Sequence, residues 1–528
     1  MNSFIKRYWV LFIVLAVFIF FKVPHLYYPY YWDESWPYAP AIKQLLHHGI
    51  SLMPGAVEGE LSRGHPLFFH AIAALWMKIF GDSLFAMHSF ALTISILFLI
   101  SIYEAGLRFF NQRVAVMGLM LVATQVAFFI QSSFVLFEML VAFLAFLSIC
   151  FYVKDKYVLT ALCLTALFYT KESGLIVGFV LGIDSLVSAF RTSLPVKTRI
   201  YRLLSIGVPC ILIGVFFMLQ KQIMGWYIFP FYSGLIEHSW PAFWYKFRMT
   251  CIRVSFYEDF KYYYFDALMI MAIVAAIKNK TIRYLVVLLP FICMWYFVDD
   301  MRAGRLLPSI PFFIVFILVC GSFLFVYGSS RFFKHSYQRR LVILMGAFIV
   351  CFLCFSTMNF FTYRYLLATI VPGLFIAAVL FDLFIDRTYK MLYLPVIAVL
   401  LSISAYSFSQ NNSYGDVDLG AFNGIEIQQG TINYLEQHNY YDKVIGTGSF
   451  LEQQHLTNQA TGFLHSSKVF KNVNWEINAN TEIAIFNNLE ADQRYKSVKE
   501  DTSYQLVYRQ TKGRDRGFVW AEIYMRRR

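Results

Sequence analysis

Apolar residues gather in long blocks along the first 408 residues, with short polar segments between them. Most blocks approach the roughly 20 residues that a helix needs to cross the hydrocarbon core of a bilayer. The blocks fall near 8–24, 65–80, 85–107, 113–131, 135–153, 157–170, 174–190, 204–222, 263–277, 284–298, 306–327, 341–357, 365–384 and 391–408. This pattern predicts an all-α polytopic membrane protein, and the first block reads as an uncleaved first helix because no small-residue cleavage site follows it.

The block at 65–80 differs from the others because it has only 16 residues and carries His65, His70 and Lys78. Aromatic side chains recur along it, so we expect a helix that lies in the membrane interface. About 13 transmembrane helices then remain.

Basic residues choose between the possible topologies. With 65–80 in the interface and the N-terminus in the cytoplasm, the inner segments hold 19 of the 32 Lys and Arg residues that precede residue 409. These segments are 1–7, 108–113, 154–156, 191–202, 278–283, 328–340 and 386–390. The positive-inside rule favours this orientation. The outer face then receives a first loop (25–84, with juxtamembrane helices), an aromatic-rich second loop (223–262) and the C-terminal tail.

The tail has a different pattern. Short β-like runs occur at Lys443 to Ile445, Glu482 to Phe486, Tyr504 to Tyr508 and Phe518 to Tyr524, and polar stretches such as 427–438 favour helix. We therefore predict two domains, a transmembrane module at 1–408 and a small extracytoplasmic α/β domain at 409–528.

Composition and charge support this division. The chain is 59% hydrophobic and 19% aromatic, and its net charge is +13. The tail has 13 Lys and Arg against 14 Asp and Glu, so the whole positive excess lies in the membrane module. A nucleic-acid-binding protein would carry that excess on a soluble domain. We expect no nucleic-acid partner and a location in the inner (plasma) membrane.

Two adjacent carboxylates, Asp33 and Glu34, follow the first predicted span within an aromatic segment. A carboxylate there can take a proton from an attacking hydroxyl or amine as a general base. The alternative is that Asp33 or Ser35 only caps the helix that runs to about residue 48.

A second outer segment places Arg63 and His65 next to Pro66, at the start of the interfacial helix. Proline suits a first helical turn, and the two basic side chains would crowd a helix N-terminus that attracts anions. Ordinary contact with lipid headgroups explains the same residues.

Charged residues also stand at the outer ends of later spans. Glu138 is a lone carboxylate at the start of an apolar helix, where a charge is costly and usually functional. Lys171 lies in a short hairpin, either as a phosphate contact or in an ion pair with Glu172.

Arg305 and Arg364 begin similar segments at the outer mouths of two further spans. Arginine matches phosphate oxygens with a planar fork, although snorkelling to the interface is the alternative. The neighbours that could pair with these arginines are Asp299, Asp300 and Arg302.

In this order, the motifs resemble those of the GT-C glycosyltransferases of the protein O-mannosyltransferase and lipid A aminoarabinose transferase type. The resemblance covers roughly residues 1–330 and rests on Trp32-Asp33-Glu34, Gly64-His65-Pro66-Leu67-Phe68-Phe69, Phe80-Gly81-Asp82, Glu138, Thr170-Lys171 and Arg305-Leu306-Leu307-Pro308. Two positions depart from it: Leu67 stands where relatives often have a second proline, and His88 where they often have arginine.

The resemblance implies a GT-C-like fold and inverting transfer of a hexosyl or pentosyl group from a polyprenyl-phosphate donor on the periplasmic side. It implies catalytic roles for Asp33, Glu34 and Glu138, and phosphate contacts from Lys171 and Arg305; Arg364, Arg63 and His65 are added as further phosphate ligands. The acceptor is a lipid, a glycan or a protein. We assign no metal ligand, and a divalent cation stays open.

Two other classes of function share these features. A transporter or flippase of a lipid-linked or polar solute would also be polytopic, but it usually carries ionisable residues near mid-span and paired halves. A glycan polymerase or ligase, or a non-catalytic scaffold, is the other alternative.

Overall fold

The structure is a computed structural model that describes residues 2–190, 195–256, 333, 335–359, 362–388, 393–411, 413–490, 494–514 and 517–527. Arg305 and its neighbours Asp299, Asp300 and Arg302 lie outside these residues. So do the predicted spans at 263–277, 284–298 and 306–327.

The described chain is mostly helical up to residue 410. Its α-helices are α1 (Asn2–Lys22), α2 (Tyr38–His48), α3 (Gly59–Ser62), α4 (Phe68–Phe80), α5 (Leu84–Ala105), α6 (Gln112–Ala123), α7 (Val126–Gln131), α8 (Phe137–Val153), α9 (Tyr157–Phe168), α10 (Leu175–Ala189), α11 (Val196–Met224), α12 (Pro230–Ser233), α13 (Trp240–Phe256), α14 (Ser336–Met358), α15 (Leu367–Thr388), α16 (Tyr393–Gln410), α17 (Gly420–Gln437), α18 (Phe450–Thr457) and α19 (Tyr495–Glu500). Short 3-10 turns, Trp32–Glu34, Glu172–Gly174 and Tyr363–Leu366, precede α2, α10 and α15.

Six segments of the described chain are long and apolar enough to cross a membrane. They are Phe4–Tyr27, Leu84–Phe110, Glu172–Ala189, Val196–Met224, Ser336–Met358 and Tyr363–Asp382. Large apolar side chains such as Phe20, Val158, Phe190 and Ile211 are exposed on the outside of the bundle. Lipid tails accommodate such surfaces, so the chain is a multi-pass membrane protein. The count of 13 spans and their orientation stay predictions.

Two apolar runs fold differently from a continuous span. The run at 113–131 forms two helices, α6 and α7. Helix α6 ends at Thr124, whose hydroxyl donates a hydrogen bond to the Met120 carbonyl oxygen (2.7 Å). Helix α4 has 13 residues. At 1.5 Å per residue it is about 20 Å long, shorter than the hydrocarbon core, so its interfacial placement stays a reasonable prediction.

Helix α15 forms the centre of the bundle. Its segment Tyr363–Asp382 is almost wholly buried, and Phe375 contacts the rings of Phe110 and Phe146. Near its far end, Asp382 accepts hydrogen bonds from Asn111 and Arg113, which the sequence placed on the inner side. Helix rise puts Asp382 roughly 27 Å from Arg364. The segment with Asn111 and Arg113 and the charged residues around Arg364 therefore meet opposite ends of one buried helix.

The tail forms a five-stranded mixed sheet in the order β2-β1-β3-β5-β4. The strands are β1 (Val444–Gly446), β2 (Asn472–Asn474), β3 (Ile483–Asn487), β4 (Tyr504–Lys512) and β5 (Val519–Arg526). Strand β1 pairs in parallel with β2 and β3, and β5 pairs antiparallel with β3 and β4. The four strands predicted from the sequence are present, and β2 is an addition.

The tail packs against the first outer loop. The Tyr30 amide donates to the Thr461 carbonyl oxygen (3.3 Å), and the Tyr28 hydroxyl donates to Glu426 (2.6 Å). His455 of α18 lies 3.1 Å from the Ser35 hydroxyl. These contacts hold the sheet domain beside the turn that carries Asp33.

One buried acid gives the tail a pH-dependent stability. Burial, with a contribution from Glu490, raises the pKa of Glu452 to about 8, although the amide of Asn487 donates to it. The folded tail therefore keeps a proton that the unfolded chain releases above its ordinary pKa near 4.5. Stability should fall as pH rises from about 4.5 to 8, by up to about 1.4 kcal/mol per unit.

Glu452→Gln should abolish most of this dependence and raise the unfolding temperature at pH 8. Unfolding of the full chain, followed by circular dichroism between pH 5 and 9, measures the effect. The exposed Glu500→Gln is the control, and an unchanged pH profile for Glu452→Gln would contradict the assignment.

Candidate active site

Glu34 anchors the turn that carries Asp33. It is fully buried, and its carboxylate accepts hydrogen bonds from the amides of Tyr31 (3.0 Å) and Val135 (2.8 Å). Its Oε1 also lies 2.9 Å from His88 Nε2. With its oxygens engaged in this way, Glu34 fixes the loop against α5 and α8. Its predicted catalytic role is then that of a positioning residue, which stays to be tested.

Asp33 is the more accessible of the two acids, since 31% of its side chain is exposed. The preceding residue, Trp32, adopts a left-handed backbone conformation (φ 45°), which is strained for a residue with a side chain. This turn directs Asp33 toward the start of α15, where it pairs with Arg364.

Arg364 is surrounded by three carboxylates. Its guanidinium donates to Asp33 and, over 2.7 Å, to Oδ2 of Asp416. Its Nε lies 3.5 Å from Oε1 of Glu138. Arg364 is 3% exposed. One buried cation thus joins the first outer loop, α8 and the segment that leads into the tail.

Lys171 and Glu172 pair with other residues instead of with each other. Lys171 Nζ donates to Glu138 Oε1 (3.0 Å) and stands 4.1 Å from the ring centre of Tyr365. Glu172 lies 2.9 Å from Nδ1 of His65. The lysine and the glutamate of the hairpin therefore have different partners, Glu138 and His65.

Arg63 and His65 are presented by an unusual loop. Arg63 (φ 49°) and Gly64 (φ 74°) are both left-handed. A Cβ atom on Gly64 would come within 2.8 Å of the Trp226 ring, so only glycine lets the second outer loop pack this closely. Arg63 also interacts electrostatically with Tyr232 of that loop.

Several of these groups border a cavity of about 520 Å³, whereas Asp33, Arg364 and Asp416 are not among its lining residues. Its polar end contains Arg63, His65, Glu138, Lys171, Glu172 and Tyr232. Its walls are mainly aliphatic and aromatic and include Val141, Leu175, Phe217, Phe229, Ile236, Phe352, Phe355 and Ala368. The cavity can take an amphipathic ligand with a small anionic head.

Opposite charges around Asp33 control its protonation. Burial works to raise its pKa, but Arg364, Arg63 and Lys171 together outweigh burial and lower it. Asp416 shows the opposite balance, because burial raises its pKa despite Arg364. Asp33 therefore stays ionised more readily than Asp416.

One acceptor at the cavity is left without a protein partner. Within the described part of the chain, Oε2 of Glu138 is buried and accepts no hydrogen bond. A buried carboxylate oxygen is costly without a donor. A ligand hydroxyl or ammonium group in the cavity could supply that donor.

The structure brings together most of the residues predicted from sequence. Asp33, Glu138, Lys171 and Arg364 form one charged cluster, while Arg63 and His65 lie at the same cavity; Arg305 is outside the described residues. Sequence reasoning missed Asp416, Tyr232 and Tyr365. Asp416 and Asp418 lie shortly after the last apolar run, which ends at residue 408. Two acidic residues so close to the end of a span were the sequence feature that could have pointed to Asp416.

No family model matches the chain, and no curated protein is significantly similar to it in sequence. Among solved structures, the chain resembles ArnT, a lipid A aminoarabinose transferase, from Cupriavidus metallidurans. The apo structure has a TM-score of 0.51 at 12% identity over 97% of each chain. The undecaprenyl phosphate-bound structure has a TM-score of 0.50 with the same identity and coverage.

A weaker likeness is to the oligosaccharyltransferase AglB from Archaeoglobus fulgidus, in complex with an inhibitory peptide and a dolichol-phosphate. Its TM-score is 0.45 at 12% identity, over 92% of this chain and 70% of AglB. At such identity, the likeness to ArnT shows the fold. The GT-C resemblance inferred from the ordered motifs is thereby confirmed at that level.

Proposed function

We propose that the chain is a membrane glycosyltransferase that moves a sugar from a polyprenyl-phosphate donor to a hydroxyl or amine acceptor. The observation that carries this proposal is the cavity and its link to Asp33. Glu138 at the polar end of the cavity contacts Arg364, and Arg364 pairs with the ionised, partly exposed Asp33. The undecaprenyl phosphate bound to ArnT, which shares the fold, supports a lipid-phosphate ligand.

The donor phosphate binds at the polar end of the cavity. Arg63 and Lys171 supply positive charge, and His65, whose Nδ1 lies 2.9 Å from Glu172, borders the same end of the cavity. Charge-assisted hydrogen bonds to phosphate oxygens are stronger than neutral ones. The polyprenyl chain lies along the apolar walls, so the same cavity holds both parts of the donor.

Glu138 orients the sugar. Its Oε1 is held by Lys171, and its free Oε2 accepts a hydrogen bond from a sugar hydroxyl or ammonium group. In this proposal the sugar lies between the phosphate-binding cations and Asp33. Arg305 stays a proposed further phosphate contact.

The transfer step is a single inverting displacement. The acceptor oxygen or nitrogen attacks the anomeric carbon and loses its proton to Asp33. The bond from the anomeric carbon to the phosphate oxygen breaks, and its electron pair stays on the polyprenyl phosphate. Arg63 and Lys171 stabilise the charge that develops on the departing phosphate. We place this reaction on the periplasmic face of the inner membrane.

Donor binding gives the direct test. Arg63→Gln should weaken binding of undecaprenyl phosphate about 10- to 100-fold, since a charge-assisted hydrogen bond contributes roughly 1.5–3 kcal/mol. Tryptophan fluorescence of the purified protein in nanodiscs can follow the titration, because Trp226 packs on Gly64 beside the cavity.

Lys43→Gln is the matched control, since Lys43 is on the same outer loop but pairs with Asp82 away from the cavity. Equal binding by the wild type and Arg63→Gln would remove Arg63 from the phosphate site. Counterflow of a lipid-linked sugar with no covalent product would replace the transferase by a transporter.

A further inference from the structure

The three carboxylates around Arg364 raise the question of a bound cation. Polyprenyl-phosphate chemistry at acidic residues often uses a divalent ion, and Asp33, Glu138 and Asp416 offer oxygen atoms of the type that such ions prefer. The residues present do not fit one. The guanidinium of Arg364 already lies among all three side chains.

Charge makes the disagreement sharper. Lys171 adds a second cation on Glu138, 3.0 Å from the same oxygen that faces Arg364. A divalent ion among these carboxylates would stand within a few Å of two fixed positive charges. Such contacts are strongly repulsive in a poorly solvated site. Consistently, no group of three acidic, histidine or cysteine side chains in the described ranges could hold a metal ion.

We propose that Arg364 is a built-in cation that takes the place of a divalent metal in this site. Its guanidinium pairs with Asp33, Glu138 and Asp416, and it keeps Asp33 and Glu138 at a fixed separation. Arg364 is a positioning residue in this scheme, because it acts through the carboxylates. The catalytic meaning of this inference rests on the proposed glycosyltransferase function, whereas the cation binding does not.

Asp416 is the specific element of the proposal. It comes from the segment between α16 and α17 and accepts a hydrogen bond of 2.7 Å from one terminal nitrogen of Arg364, while Asp33 accepts from the other. Asp416 does not line the cavity, so it does not occupy space that a substrate would need. Asp416 therefore fixes the rotation of the guanidinium and leaves the remaining nitrogens directed to Asp33 and Glu138.

Metal binding is the first readout. Chelator-treated protein in nanodiscs is titrated with Mn²⁺ while electron paramagnetic resonance reports the free ion. We expect no stoichiometric binding by the wild type. Arg364→Gln should gain one Mn²⁺ per chain and should unfold at a higher temperature when Mn²⁺ is present. Adding Asp416→Asn to Arg364→Gln should abolish the gain.

The wild type alone keeps the proposal falsifiable if Arg364→Gln does not fold. Binding of one Mn²⁺ by the wild type, lost in Asp416→Asn, would overturn it. Sugar transfer should change less than about twofold between EDTA and Mg²⁺; a loss of about tenfold in EDTA that Mg²⁺ restores would also overturn it. Absence of transfer with every donor would contradict the proposed function, and the Mn²⁺ titration would still decide the cation question.

Discussion

Asp33→Asn should lower the rate of sugar transfer by about 10²–10⁴-fold, the range expected for loss of a general base. Asparagine has nearly the same shape and can still accept a hydrogen bond from Arg364, so the fold should be retained. The lost property is the ability to take the acceptor proton. The effect should fall on kcat, with little change in the KM for the lipid donor.

The measurement is single-turnover release of polyprenyl phosphate from a labelled donor by protein in nanodiscs. Asp82→Asn is the matched control, because Asp82 lies on the same outer loop and pairs with Lys43 away from the cavity. Near-normal release by Asp33→Asn would assign the proton transfer to another group. Since the surrounding cations lower the pKa of Asp33, the acid limb it produces should lie below the ordinary aspartate pKa of 3.8.

Lys171→Met should damage both stability and transfer. It leaves Glu138 charged and buried without its closest partner, a change that typically costs about 3–5 kcal/mol. It also removes a cation from the phosphate end of the cavity. We expect a large fall in the unfolding temperature and loss of detectable transfer, whereas the exposed Lys78→Met should have little effect on either.

A double-mutant cycle separates the two effects. Lys171→Met combined with Glu138→Gln removes both charges, so much of the stability should return. Transfer should not return, because the phosphate still lacks its lysine. Recovery of activity together with stability would show that Lys171 serves only the ion pair.

The sequence predicted the main charged cluster because its members share one simple property. Asp33, Glu138, Lys171 and Arg364 each stand near a predicted outer end of an apolar run, and the predicted topology puts such ends on one face. The GT-C fold followed from the order of short motifs. The ion-pair partners of these residues could not be predicted, because they depend on the directions of side chains, which the order of residues along the chain does not give.

The Lys171–Glu172 hairpin illustrates this limit. Lys171 has an extended backbone (φ −159°, ψ 140°), whereas Glu172 begins a 3-10 turn. The two side chains therefore leave the chain in different directions. Strand β2 was missed for another reason: its three residues, Asn-Val-Asn, are too few and too polar to show a strand pattern, and only the neighbouring β1 makes them a strand.

Asp33, near the start of the chain, and Asp416, after the last helix of the bundle, both pair with Arg364. This arrangement has a consequence for biosynthesis. Ribosomes make the chain from its N-terminus, so Arg364 enters the bilayer before its partner Asp416 exists. The charged cluster can be completed only after the final hydrophobic helix has left the translocation machinery and the segment behind it has folded back. If the proposed function holds, the site is therefore assembled late in maturation.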